Sequence, residues 1–203
     1  MATDEATLLH AVIADPDDLS PRLALADLWS GERGELIRVQ IERSEAMRAG
    51  RKSSKAGMRA HQLLQGNAKR WAGPIADRVL EARFLRGFVE WIVVDAAVFV
   101  RDWKTLFAMA PIRHLDLVHA RPVIAELVDC PGLERIAGLS FNFAGTPRYD
   151  PVGDDVAIAL AASPRLRNLR YLDLGHSELS EAALAAVASS PTSPATRFRR
   201  WSR

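Results

Sequence analysis

The chain has one cysteine, Cys130, in 203 residues. No internal disulfide can form, which excludes a disulfide-stapled secreted scaffold. Long apolar runs are missing too: stretches such as Phe88–Val94 and Ala182–Ala188 fall far short of the roughly 20 residues a bilayer-spanning helix needs. The opening Met-Ala-Thr-Asp-Glu is acidic, with no basic segment ahead of an apolar one, so no signal peptide is expected. There is no glycine-rich phosphate loop, no activated-nucleophile motif and no metal-spaced pair of ligands. The expectation is a cytoplasmic protein with no membrane segment, no cofactor, no metal and no catalytic residues.

Neither sign of charge dominates, with 27 basic against 25 acidic residues and a formal charge of +2. The basicity is uneven. Four arginines, Arg197, Arg199, Arg200 and Arg203, crowd the last seven residues, and without them the balance turns negative. A second run, Arg48, Arg51, Lys52, Lys55, Arg59, Lys69 and Arg70, contains no acidic residue. Such a run is either a solvated helix face or a landing site for an acidic partner. Apolar residues at 48% and charged residues at 26% fit a globular chain able to bury a core.

The N-terminal part reads as helices. Leu8, Leu9, Val12 and Ile13 share one helical face, and Asp15-Pro16 ends that helix. Ser20-Pro21 reads as an N-cap followed by proline at the first helical position, with the helix running to about Trp29. A third helix carries Leu36, Ile37 and Ile41 towards Met47, and a fourth aligns Ala60, Leu63, Leu64, Ala68 and Trp71. From about Phe84 strand-like and helix-like segments alternate. Apolar residues recur at relative positions 1, 4 and 6: Val89/Ile92/Val94, Ile112/Leu115/Leu117, Ile136/Leu139/Phe141 and Leu169/Leu172/Leu174. Each set is followed by a helical stretch, and these stretches end in Pro111, Pro131, Pro164 and Pro191. The interval from Leu139 to Leu172 is longer than the others, which implies an insertion around 144–153.

This order resembles the L-x-x-L-x-L of leucine-rich repeats, in which strand-helix units stack and share a core that none could bury alone. The ninth position, commonly Asn, is Ala97, Ala120, Ala144 and Ser177 here, so no side-chain amide ladder is implied. The strings Pro21-Arg22-Leu23-Ala24-Leu25-Ala26-Asp27 and Arg33-Gly34-Glu35-Leu36-Ile37-Arg38-Val39-Gln40 resemble the bacterial repeat-companion domain, a module found beside such repeats. Leu25 stands where that family has tyrosine, and Leu28-Trp29 inverts its Trp-Leu pair. The resemblance implies an α/β fold: a ribonuclease-inhibitor-like leucine-rich-repeat solenoid with a parallel concave sheet, behind an all-α helical module. The expected division is a helical module and linker at 1–75, about four repeats at 76–191, and a basic tail at 192–203. The family implies interaction or scaffolding and nothing catalytic.

Side chains alternate along a strand, so one face of the expected sheet carries Trp91, Val93, Asp95, His114, Asp116, Ser140, Asn142, Tyr171 and Asp173. Exposed aromatics on such a face are typical interface anchors, and a protein partner is expected there; the competing view is a sheet that is merely solvated or self-packed. The alternative partner is nucleic acid or another anionic surface, bound through the 48–70 run and the arginine tail. Asp27, Arg33, Glu35 and Arg38 form the charged heart of the N-terminal motif, read as salt bridges and caps or as a docking surface. Cys130 is expected to be buried and inert.

Overall fold

A computed structural model describes residues 4–141, 152–174 and 179–190. Among these residues there are nine α-helices and five strands: α1 (Glu5–Ala14), α2 (Ser20–Leu28), α3 (Glu32–Arg48), α4 (Ser54–Leu64), α5 (Ala68–Ala72), β1 (Glu81–Leu85), β2 (Phe88–Asp95), α6 (Ala96–Met109), β3 (His114–Val118), α7 (Ile124–Asp129), β4 (Gly138–Ser140), α8 (Asp154–Ala162), β5 (Tyr171–Asp173) and α9 (Glu181–Ala188). The strands form one sheet in the order β1-β2-β3-β4-β5, with one antiparallel pair and the rest parallel.

This architecture overturns the expected solenoid. The sheet is mixed, and its strands shorten from eight residues in β2 to three in β4 and β5. The helices after β2, β3, β4 and β5 have 14, 6, 9 and 8 residues. A solenoid needs a near-constant unit so that each repeat stacks on the last by the same small rotation, and these units are not constant. Apolar spacing at positions 1, 4 and 6 specifies a strand and the turn after it. A short α/β sheet and a solenoid satisfy that spacing equally. All twelve residues of the pattern are buried, in an α/β arrangement of the first kind.

The chain divides into two compact units. The first comprises Met1–Asp77, Ala82–Glu90 and Phe107–Pro111, so it takes in most of the β1–β2 hairpin and is not all helical. Its helices pack in succession, α1 on α2, α2 on α3 and α3 on α4. Val12, Leu25, Ala26, Ile37, Ile41 and Phe88 form the apolar centre, with Leu8, Leu9, Leu19 and Trp29 against it. Gly34 permits the close approach of α3 to the end of α2, since a Cβ there would lie 2.1 Å from the Trp29 carbonyl oxygen. The hairpin turn is Arg86-Gly87, both with positive φ (50° and 88°), as a two-residue turn matching the strand twist requires. Helix four is interrupted where one continuous helix was expected: Gly66 adopts φ +76°, and α5 starts afresh at Ala68.

The second unit comprises Arg78–Glu81, Trp91–Leu106 and Ile112–Arg203. Its parallel strands run in register, with Ile92, Leu115, Leu139 and Leu172 abreast and all buried. Helix α7 packs on α8 and α8 on α9. Ser180 caps α9, its hydroxyl accepting from the Ala183 N–H at 3.3 Å. The buried Ser163 donates to the Val128 carbonyl at 2.6 Å. Asn142, most of the 144–153 insertion and the 192–203 tail lie outside the described residues.

Candidate functional site

The parallel register sets the expected site residues in rows. Trp91, His114, Gly138 and Tyr171 stand side by side on β2, β3, β4 and β5, and Val93, Asp116, Ser140 and Asp173 form the next row. Asp95 pairs with Val118 beyond them. The rows differ in access. Val93, Asp116 and Ser140 are 0%, 3% and 5% exposed, so the middle of this face is closed. Trp91, Asp95, His114, Tyr171 and Asp173 are half-buried.

Glycine at position 138 shapes the first row. A Cβ on Gly138 would sit 2.3 Å from His114 Cδ2, so the histidine ring occupies the space a side chain on the neighbouring strand would fill. In that position His114 stacks on Trp91, with ring centroids 5.3 Å apart and planes 26° from parallel. The Tyr171 hydroxyl donates to Asp173 Oδ2 at 2.8 Å, which fixes the phenol ring and orients the carboxylate. The result is an aromatic row with an acidic edge.

Asp95 closes the strand end. Its Oδ1 accepts from the Ala97 N–H at 2.9 Å, capping α6, and its Oδ2 lies 2.9 Å from His119 Nδ1. Burial pushes the Asp95 carboxyl up, but hydrogen bonds from His119 and from the Ala97 and Val98 N–H groups outweigh it and hold the group below its ordinary value. Burial raises the Cys130 thiol, which disfavours the nucleophilic thiolate. Among the described residues no group of three or more His, Cys, Asp or Glu side chains could hold a metal ion, and no helix is long and apolar enough to cross a membrane.

The charged residues of the N-terminal motif have mostly structural partners. Arg38 pairs with Asp27, and Arg59 donates to both oxygens of Glu35 at 2.6 and 2.7 Å. Lys69 pairs with Asp77 at 3.0 Å, and Arg70 donates to Asn67. The 48–70 run therefore has part of its charge neutralised, while Arg48, Arg51, Lys52 and Lys55 are exposed. Gln40 serves the hairpin: its amide donates to the Phe84 carbonyl at 3.0 Å and accepts from the Gly87 N–H at 2.8 Å.

Two arrangements in the first unit escaped the sequence reading. Arg22, wholly buried, pairs with Glu90 at 2.8 Å and donates to the Arg86 and Pro16 carbonyls at 3.0 and 2.9 Å. Arg86 holds the other side of the same carboxylate at 2.6 Å and reaches Asp17 at 3.3 Å. The signal was present in both periodicities. Arg22 shares a helical face with Leu25 and Ala26, and Glu90 shares a strand face with Ile92 and Val94. The second arrangement surrounds Arg33 with aromatic rings, those of Trp29, Trp71, Phe84 and Phe88 lying 5.1 to 5.5 Å from its guanidinium carbon.

Comparison with protein-family models, with curated proteins and with solved structures gives no match. The likeness of the N-terminal strings to the repeat-companion domain rests on the residues quoted for it alone.

Proposed function

We propose that this chain is a non-catalytic, cytoplasmic interaction or scaffold protein that binds a partner protein through the sheet face bearing Trp91, His114 and Tyr171. What supports the reading is the row itself: three aromatic rings held in one row by the strand register, each partly open, with the carboxylate of Asp173 beside Tyr171 and that of Asp95 at the far end of β2. Rigid aromatic anchors of this kind carry much of the energy of protein interfaces. Their chemistry selects a partner presenting basic, planar side chains, arginine foremost, which stacks on a ring and pairs with a carboxylate. The buried middle row keeps the backbone beneath the anchors from shifting.

The test is capture from lysate with quantitative mass spectrometry, followed by titration of the purified partner. Wild type is compared with Trp91→Ala/Tyr171→Ala and with a chain ending at Pro191. Truncating an anchor costs about 2 kcal/mol, roughly 30-fold in Kd. The double variant should therefore lose the partner while the shortened chain keeps it. Recovery of nucleic acid that falls steeply with salt, disappears with the tail and ignores the double variant would replace this function with the anionic-surface alternative.

A further inference from the structure

Arg33 differs from the other arginines of the first unit's interior in lacking an anion, although the buried Nε of Arg22 is likewise without a hydrogen-bond partner. Arg22 and Arg86 each face Glu90. For Arg33, among the described residues, no carboxylate or carbonyl accepts from the guanidinium, and its buried Nη1 has no hydrogen-bond partner. Glu32 and Glu35 are close in sequence, but one and two positions along a helix do not bring side chains face to face. Both are otherwise engaged, Glu32 by Asn67 at 3.2 Å and Glu35 by Arg59.

The four rings explain how the cation is tolerated, but leave Nη1 unanswered. Cation–π attraction acts at the faces of a ring and compensates charge. A guanidinium also carries five N–H donors directed outward in its own plane, and a buried donor without an acceptor is costly to keep. Burial without a compensating anion lowers the Arg33 pKa to about 10. Arg70, 5.8 Å from the Trp71 ring, adds a second positive charge beside the cage. The residue as a whole is half-buried rather than sealed, and Nη1 is the guanidinium nitrogen closed off without a partner.

We propose that Arg33, clamped by Trp29, Trp71, Phe84 and Phe88, is a receptor for the carboxylate of an acidic side chain on a partner polypeptide. The planar fork of arginine matches a carboxylate bidentately, and the aromatic walls hold the fork in one orientation while lowering the local dielectric. This site is separate in its residues from the Trp91–Tyr171 row and opposite in sign: one takes an acid, the other a base.

The experiment is a nuclear magnetic resonance titration of the full chain, following the Arg33 Nε–Hε signal and the Trp29 and Trp71 indole N–H signals. The probes are N-acetyl-glutamate amide, which offers only a side-chain carboxylate, N-acetylglycine, which offers a terminal one, and inorganic phosphate. With N-acetyl-glutamate amide the Arg33 and indole signals should shift saturably, with half-change in the millimolar range. Arg33→Gln should abolish the saturable indole shift, and Arg33→Lys, which keeps the charge but loses the fork, should weaken it several-fold. Shifts that stay linear with concentration, or that persist unchanged in Arg33→Gln, would overturn the receptor. Tighter saturation by phosphate or by N-acetylglycine would overturn the side-chain carboxylate assignment. If a variant fails to fold, the wild-type titration still decides on saturation at the Arg33 Nε–Hε signal and on preference among the three probes.

Discussion

Replacing Arg22 with methionine removes a guanidinium that is 0% exposed and leaves a side chain of similar reach. Three polar interactions vanish, the 2.8 Å pair with Glu90 and the hydrogen bonds to the carbonyls of Arg86 and Pro16, together with the cation–π contact to the Phe88 ring at 5.2 Å. Glu90 is not stranded, because Arg86 still holds it at 2.6 and 3.1 Å. The two carbonyls lose buried donors, at about 1 kcal/mol each or more, and the charge-assisted bond adds about 1.5–3 kcal/mol. Relief from desolvating Arg22, whose burial lowers its pKa, offsets part of this. The net loss should be about 3 kcal/mol, at the low end of what removing one member of a buried pair costs. With a urea slope of about 2 kcal/mol per molar, the midpoint moves down by roughly 1.5 M. Far-UV circular dichroism and tryptophan fluorescence both report it. Glu90→Gln should cost more, since it leaves two buried guanidiniums facing each other with only the more exposed Asp17, 3.3 Å from Arg86, as an anion. The double variant Arg22→Met/Glu90→Met should lose less than the two single losses together, with a coupling of about 1.5 kcal/mol or more. A midpoint shift below about 0.5 M for Arg22→Met, or strict additivity in the cycle, would refute the claim that this pair locks α2 to the hairpin.

Two further perturbations probe backbone and pH. Gly87→Ala forces a side chain onto φ +88° and places its Cβ 2.3 Å from Ile37 Cγ1 and 2.9 Å from Ile37 Cα. Strain and overpacking together should cost about 3 kcal/mol, whereas Gly50→Ala, at φ +67° with nothing within 4 Å, should cost about 1 kcal/mol; equal thermal shifts for the two would show that contact with Ile37 is unimportant. Asp95 is held below its ordinary value of 3.8, so its charge stabilises the fold above that pH, and the contribution is lost as pH falls through the depressed folded-state value. Asp95→Asn keeps an α6 cap but removes the titration. The stability gap to wild type should be open at neutral pH and close below pH 3.8, as read from urea midpoints across the acid range; a gap that widens on acidification would contradict the assignment.

Much of the local structure was legible because it depends on short-range chemistry. Asp15-Pro16 ends α1, Ser20-Pro21 lies in the first turn of α2 although Leu19 and not Ser20 stands at the cap, and each residue of the 1-4-6 apolar pattern is buried. The lateral register of Trp91, His114, Gly138 and Tyr171 follows from that pattern, because aligning the buried leucines aligns the residues between them. The tertiary class was not legible. Spacing within a unit says nothing of whether successive units repeat one rotation, and here the helices differ too much in length to do so. The antiparallel start of the sheet had a local sign, Arg86-Gly87 between Phe84-Leu85 and Phe88-Val89, which is a two-residue turn between apolar pairs. The closed middle row was hidden for another reason. Alternation predicts which face Val93, Asp116 and Ser140 occupy, but what lies over that face is set by residues distant in sequence.

The same division explains why charged residues of one motif have such different roles. Arg38 and Glu35 lie on exposed parts of α3 and take their partners, Asp27 and Arg59, in solvent-accessible pairs, which contribute little to stability. Arg22 lies on the apolar face of α2, so burial forces it to find an anion and carbonyls, and it becomes an organising residue of the first unit. Arg33 falls between these cases. It is half-buried, and the fold gives it aromatic faces but no acceptor for Nη1. A guanidinium that served stability alone would be better replaced by an apolar side chain filling the same cage, since removing a buried unpaired charge removes its desolvation cost. Arg33→Met therefore separates the two roles: unchanged or raised thermal stability together with loss of carboxylate binding is the expected result. A drop of several kcal/mol with carboxylate binding absent from wild type would make the arginine a structural member of an aromatic cluster.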